Sequence, residues 1–237
     1  MEGFTYTNIF DTKGIEYIII IFFFLILIPF WMIMNKSQVK KQIQVIVKAL
    51  TAGALRIPKG LFYSKNHTWA FIEKSGNAKI GIDDFLLHIV GAIQLNMVKK
   101  EGDKISKGEV LAEIEQHGKR LQLFAPVSGI IVSANSMLEE NAEIMKADPY
   151  GKGWMYAVQP SNWKAETSGF YFAEEAVKWI GSELQRFKDF LNVTLSKNNE
   201  TSMLVYQEGG ELQMNPLEGL KAEIWDDFQK EFLDKTA

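Results

Sequence analysis

The chain has 237 residues, of which 47% are hydrophobic and 23% charged, with a net charge of −3 and no cysteine. Such a composition excludes a disulfide framework and thiolate-bound metal or iron–sulfur centres, and it fits a reducing compartment. With no long basic patch beyond one short stretch, it also argues against nucleic acid as a partner.

The first element is an apolar run. Residues 17–34, YIIIIFFFLILIPFWMIM, are eighteen successive uncharged positions with no polar face. A bilayer core about 30 Å thick needs roughly 17–25 helical residues to cross, so the run predicts a transmembrane helix over 17–35. Pro29 is tolerable near its end, and Trp31 and Lys36 suit the interface. A cleaved signal peptide does not fit, because the leader carries Glu2, Asp11 and Glu16 against Lys13 and no small-residue cleavage pattern follows. Lys36, Lys40, Lys41, Lys48, Arg56 and Lys59 follow the run with no acid among them. The positive-inside rule then places a short tail, 1–16, outside and the main domain in the cytoplasm, at the inner membrane.

Over 36–58, Val39, Ile43, Ile46, Val47 and Leu50 recur at helical spacing with lysines on the other face, predicting a basic amphipathic linker helix. It would lie on the anionic leaflet or pack on the next domain. From Leu61 to Gln159, short apolar runs alternate with turn signals. This texture predicts an antiparallel β module. The strands are FIEKSGNAKIGI as a hairpin, then AIQLNMV, VLAEIE, RLQLF and IIVSAN, with Asp83 capping a short helix that ends at Gly91.

The stretches IPKGLFYSKNHTWAFIE, KIGIDDFLLHIVGAI, APVSGIIVSAN and ADPYGKGWMYAVQPSNW resemble, in order and spacing, the H protein of the glycine cleavage system. The resemblance implies a lipoyl-domain fold over 59–165, a mainly β barrel-sandwich hybrid with its modifiable lysine on an exposed hairpin. Its structural positions here are His67, Trp69, Ala125, Pro126, Val127, Ser128, Gly129, Asp148, Pro149, Tyr150, Gly151, Gly153 and Trp154. Pro126 and Gly129 suit a tight crossover between sheets, and Gly151 and Gly153 a turn that carries Trp154 to the core. His67 and Trp69 open a strand and share a face by alternation; for His67 a packed, locally bonded ring is the expected role.

In the H-protein pattern the lipoyl lysine lies seven positions before the alanine of APVSG. Here that position is Gly118. Lys119, one residue on, is expected to stand in water near the tip, and a one-residue step in a strand turns a side chain to the other face. The resemblance therefore implies a kept scaffold with no cofactor, or alternatively lipoate carried on Lys119.

The C-terminal part, 166–237, is expected to be a helix–strand–helix extension without counterpart in that pattern. Residues 171–195 place Phe172, Ala176, Trp179, Ile180, Leu184, Phe187, Phe190 and Leu191 at helical spacing. A strand is expected at 202–209, then a helix capped by Asn215 with Pro216 in its first turn, burying Leu220, Ile224, Trp225, Phe228, Phe232 and Leu233. From Glu200 onward acids outnumber lysines, a charge split that either solvates a face or steers a basic partner.

No phosphate loop, nucleophile elbow or His/Asp/Glu ligand spacing is present. No catalytic and no metal-binding residue is expected, and the chain is not read as an enzyme. The leading expectation is a single-pass membrane protein presenting an H-protein-like scaffold to protein partners in a membrane-associated complex, one with redox chemistry in view. The alternatives are a membrane-tethered lipoyl carrier and an efflux or membrane-fusion adaptor. The adaptor fits less well, because 111–125 leaves no room for an inserted helical hairpin.

Overall fold

The computed structural model describes residues 9–34, 49–197 and 212–234, with side chains of the first helix described from Glu16 to Trp31. Of the linker helix expected over 36–58, residues 36–48 lie outside the described residues, and the described part, 49–58, holds only a 3-10 turn, Ala52–Ala54, between the extended residues Thr51 and Leu55; the strand expected at 202–209 and Glu200, Glu208 and Glu211 also lie outside. The chain divides into two units between Ile46 and Val47.

In the first unit, helix α1 spans Ile9–Met34 with Pro29 inside it. Its backbone is 26 residues long, about 39 Å at 1.5 Å per residue. From Tyr17 to Trp31 its large apolar side chains are exposed. Among the described residues no helix is long and apolar enough to cross a membrane, the described side chains of α1 being limited to Glu16–Trp31.

The second unit is a sandwich of two antiparallel sheets followed by a helical extension. The larger sheet has seven strands: β1 (Phe62–Tyr63), β2 (Thr68–Ile72), β3 (Ala78–Ile82), β5 (Lys104–Ile105), β8 (Gly129–Ala134), β9 (Trp154–Pro160) and β10 (Tyr171–Phe172). Their order is β10-β1-β2-β3-β9-β8-β5. The smaller sheet has β4 (Gln94–Met97), β6 (Val110–Gln116) and β7 (Lys119–Phe124), in the order β4-β6-β7. Between them Ile80, Leu111, Ile114, Leu121, Leu123, Val127, Ile131 and Val158 are buried. Period-two alternation is clear in β7, where Leu121 and Leu123 are buried while Arg120 and Gln122 are exposed.

Local rules account for most boundaries. The β2–β3 turn places Gly76 at φ 88°, closed by a 2.8 Å bond that Glu73 N donates to the Asn77 carbonyl. Helix α2 (Asp84–Val90) is capped by Asp83, whose carboxylate accepts from Leu86 N at 2.9 Å, and it ends at Gly91. Short helices α3 (Met137–Glu140), α4 (Glu143–Ala147) and α5 (Trp163–Glu166) flank the larger sheet's connections.

Three expectations shift. The long amphipathic helix, α6, runs Ala173–Lys197, because Tyr171 and Phe172 pair with Tyr63 and Phe62 as a strand instead. Asn215 does not cap a helix. It sits at φ 59° and donates its N–H to His88 O at 2.8 Å, while Leu217 N bonds Ile89 O, so this stretch docks on the end of α2. Helix α7 begins only at Ala222, running to Phe228, and a π turn over Gln229–Leu233 follows. The apolar set expected in this region is nevertheless buried, including Leu220, Ile224, Trp225, Phe228, Phe232 and Leu233.

The crossover glycine is constrained by space. A Cβ at Gly129 would lie 2.2 Å from the backbone oxygen of Gln159 on β9. Gly129→Ala is expected to cost about 2–4 kcal/mol, because backbone on both sides must shift. Urea unfolding of the variant beside the parent checks this, with no loss of midpoint as the contrary result.

Candidate functional site

The candidate site is the β6–β7 hairpin. Six cross-strand pairs, from Val110↔Phe124 to Gln116↔Lys119, bring it to a two-residue tip, His117-Gly118. Both tip residues have positive φ, 50° and 78°. This is the turn class whose twist matches paired strands, and glycine adopts it without strain. Space is open around Gly118, so its φ alone restricts what can replace it.

Lys119 opens β7 and does not stand in water. Its ammonium donates to Glu218 O at 2.7 Å and Leu220 O at 3.1 Å, and it lies 4.7 Å from the centre of the Trp225 ring. Burial pushes its pKa down, against the opposing charge of Glu218. Lys119 has the strand parity of buried Leu121 and Leu123. What the sequence could not supply was its partner, about a hundred residues away. Beside the tip, buried Gln116 donates its side-chain amide to Val90 O and Ala92 O, fastening the hairpin to the end of α2.

The C-terminal stretch Leu212–Asp234 forms a strap along the free edge of β7. Gln229 accepts from Gln122 N at 2.8 Å and donates to Gln122 O at 3.4 Å, so its side-chain amide substitutes for a neighbouring strand. Trp225 Nε1 donates to Leu217 O at 2.9 Å, closing the strap on itself.

The other sequence-selected residues build scaffold. Ala125, Pro126 and Val127 are buried at the crossover, and Ser128 N and Oγ both donate to the Glu166 carboxylate. Asp148 organises the following turn, accepting from Gly151 N and Lys152 N while Gly153 N donates to its carbonyl. A Cβ at Gly151 would meet that carboxylate at 2.3 Å, which explains a glycine there. Pro149 and Tyr150 follow Asp148 in the same turn; the Tyr150 hydroxyl donates to Arg56 O and accepts from Asp84 N. Trp154 is half-buried, with the Lys79 ammonium 5.6 Å from its ring centre. A cavity of about 510 Å³ lies at the crossover beside Phe124, Ala125 and Pro126, away from the hairpin tip.

His67 and Trp69 do not share a face by simple alternation. His67 precedes β2 at φ 57°, in the left-handed region, and packs between Phe85 and Trp179 at ring distances of 4.5 and 5.2 Å. Trp69 packs on Tyr150 instead. His67 Nδ1 lies 2.8 Å from the capping carboxylate of Asp83, and Nε2 is 3.6 Å from Glu183 Oε2, an ion-pair distance too long for a hydrogen bond. Burial pushes the His67 pKa down, but the Asp83 and Glu183 carboxylates outweigh it and raise it to about 9. Among the described residues no group of three or more His, Asp or Glu could hold a metal ion.

The glycine cleavage H-protein family model matches residues 61–183, just over half of the chain, and the chain belongs to that family. A glycine cleavage system H protein of Carboxydothermus hydrogenoformans is 38% identical over 128 residues, covering 54% of this chain and 96% of the relative. A probable glycine cleavage system H protein of Thermococcus gammatolerans is 32% identical over 133 residues, covering 56% and 98%. The crystal structure of a glycine cleavage system H protein from Mycobacterium marinum is 28% identical, covers 53% of this chain and 99% of that one, and has a TM-score of 0.47. The match continues past 165, where the sequence pattern suggested an end, into the first part of α6.

Two consequences are measurable. Lys119→Ala should destabilise the unit by about 1–2 kcal/mol, since two carbonyls lose a charged donor and the Trp225 ring its cation. Loss below ~0.5 kcal/mol in urea unfolding would return Lys119 to the solvent. His67 is expected to make stability pH-dependent. Its folded pKa is raised, so its contribution is complete below about pH 6.5 and disappears as pH rises through about 9. The parent should lose on the order of 3 kcal/mol across that window, while His67→Asn, which tolerates the left-handed backbone, should be weaker at pH 6.5 and flatter above it. Equal slopes for the two proteins would remove His67 as the cause.

Proposed function

We propose that this member of the glycine cleavage H-protein family is a membrane-anchored, non-catalytic interaction subunit whose H-protein-like sandwich acts as a scaffold. One observation carries the reading: the amine nearest the hairpin tip is already bonded, to Glu218 O and Leu220 O. A carrier arm needs a lysine presented at a tip, and the tip here is His117-Gly118. The residues present do not fit a lipoyl group on this hairpin. Function then has to come from surfaces, since fold alone does not specify it.

Anchoring is supported by the uncharged run 17–34 and by the helical backbone of α1. The six basic residues between Lys36 and Lys59 favour the inner membrane with the main domain in the cytoplasm. The bilayer and protein partners in a membrane-associated complex are the contacts this reading requires, and nucleic acid is not among them.

A second reading, a membrane-tethered carrier with lipoate on Lys119, is favoured by the relatives themselves. Glycine cleavage system H proteins align over 96–98% of their length with this chain. Family membership taken alone supports this reading better than the scaffold. It requires Lys119 to leave the carbonyls that hold it.

Mass spectrometry of the full-length protein from its native membranes separates the two. The expected result is a peptide containing Lys119 at its unmodified mass, from protein that pellets with membranes and needs detergent for release. A lipoyl increment on Lys119 would establish the carrier, and recovery in the soluble fraction would remove the anchor.

A further inference from the structure

We infer that the strap Leu212–Asp234 is a built-in guard of Lys119, so that strap closure and acylation of the Lys119 amine exclude each other. The inference rests on the reading of the hairpin given above and adds a regulated modification site to it. The class of modifier is an activated acyl donor, an acyl adenylate or a reactive ester.

Acylation needs the lone pair of a neutral amine open to an incoming carbonyl carbon. The Lys119 nitrogen instead faces two strap carbonyls, at 2.7 and 3.1 Å, and an indole ring at 4.7 Å. The strap is pinned independently on either side of that contact. Upstream, Asn215 N and Leu217 N bond the last carbonyls of α2; downstream, Gln229 bonds both backbone groups of Gln122. While these hold, the protons of the amine stay committed to the strap carbonyls.

The exclusion works in both directions. When an ester acylates the amine, the N–C bond forms as the C–O bond to the leaving group breaks, and the ammonium releases its protons to solvent and leaving group. The product is an uncharged amide with one N–H. It cannot serve both Glu218 O and Leu220 O, and it has no cation for Trp225. By linkage, whatever loosens the strap favours acylation, and acylation favours strap release by the same factor.

The test is acetylation of the detergent-solubilised full-length protein by the N-hydroxysuccinimide ester of acetate, followed peptide by peptide. The exposed Lys65 and Lys74 provide the reference rate. Burial lowers the pKa of Lys119, which by itself supplies more neutral amine and faster reaction. Slow reaction therefore reports shielding and not basicity. The expected result is a rate at Lys119 at least about tenfold below that at Lys65, rising several-fold in Gln229→Ala and in Trp225→Phe with Lys65 unchanged. Gln229 is half-exposed and Phe retains most of the indole's apolar volume, so both variants can fold; cooperative melting confirms it. Parity of Lys119 with Lys65 in the parent, or no acceleration in two folded variants, would overturn the guard. Either failure leaves the native mass of the peptide unmodified. A lipoyl increment in the native protein is a different result, one that ends the scaffold reading itself.

Discussion

The Asp83 carboxylate is the point from which most of the second unit is organised. One oxygen caps α2 through Leu86 N, and the other holds His67 Nδ1. Across the imidazole stands Glu183 of α6, itself gripped by Arg186, which reaches Glu231 in the strap's π turn. A line of alternating charges thus crosses from the sheet to α6 and on to the strap. Burying such groups costs several kcal/mol each, so this line contributes less to net stability than to specifying one arrangement. Phe85, Trp179, Phe187, Phe228 and Phe232 supply the apolar burial around it, while the charges fix which face of α6 meets the sandwich.

An exposed strand edge invites pairing with other chains, and β7 has such an edge because β6 occupies only one side of it. The strap closes it without becoming a strand. A single glutamine amide, with donor and acceptor on one planar group, reproduces the two bonds a neighbouring strand would make at Gln122. The apolar residues of α7 and the π turn then bury Phe228, Phe232 and Leu233 beside it. Because the strap must pass the hairpin to reach this edge, Lys119 lies on its path, and edge protection and amine capture are parts of one packing solution.

What was legible in the sequence was local. The Gly76 turn, the Asp83 cap and Gly91 stop, the strand alternation of β7 and the apolar stripe of α6 follow from rules that act over a few residues. Reading failed where distant contacts override those rules. Tyr171 and Phe172 continue the apolar stripe of α6, yet they complete a sheet because β1 offers an unpaired edge. Asn215-Pro216 has the form of a helix start, but the free carbonyls at the end of α2 capture Asn215 N and Leu217 N first. His67 and Trp69 fit alternation on paper, and the left-handed backbone at His67 breaks it. The family motifs located the scaffold correctly, including buried Ala125, Pro126 and Val127. They located Lys119 beside the tip and left it in water, because its surroundings are written in residues 218–225.

Lys119 is also explained by the accounting of backbone acceptors. The turn over 217–220 precedes α7, so Glu218 O and Leu220 O have no helical N–H to meet, and a buried acceptor without a donor costs more than a typical bond returns. A neutral aliphatic side chain from the hairpin would pack there but leave both carbonyls unpaired. An arginine would bring donors in a rigid plane, whereas an ammonium directs three donors from one atom and can serve two carbonyls while resting against an indole. The lysine beside Gly118 therefore has a structural reason to exist that is independent of any carrier chemistry. Its presence next to the tip of an H-protein-like hairpin is therefore not by itself evidence of modification.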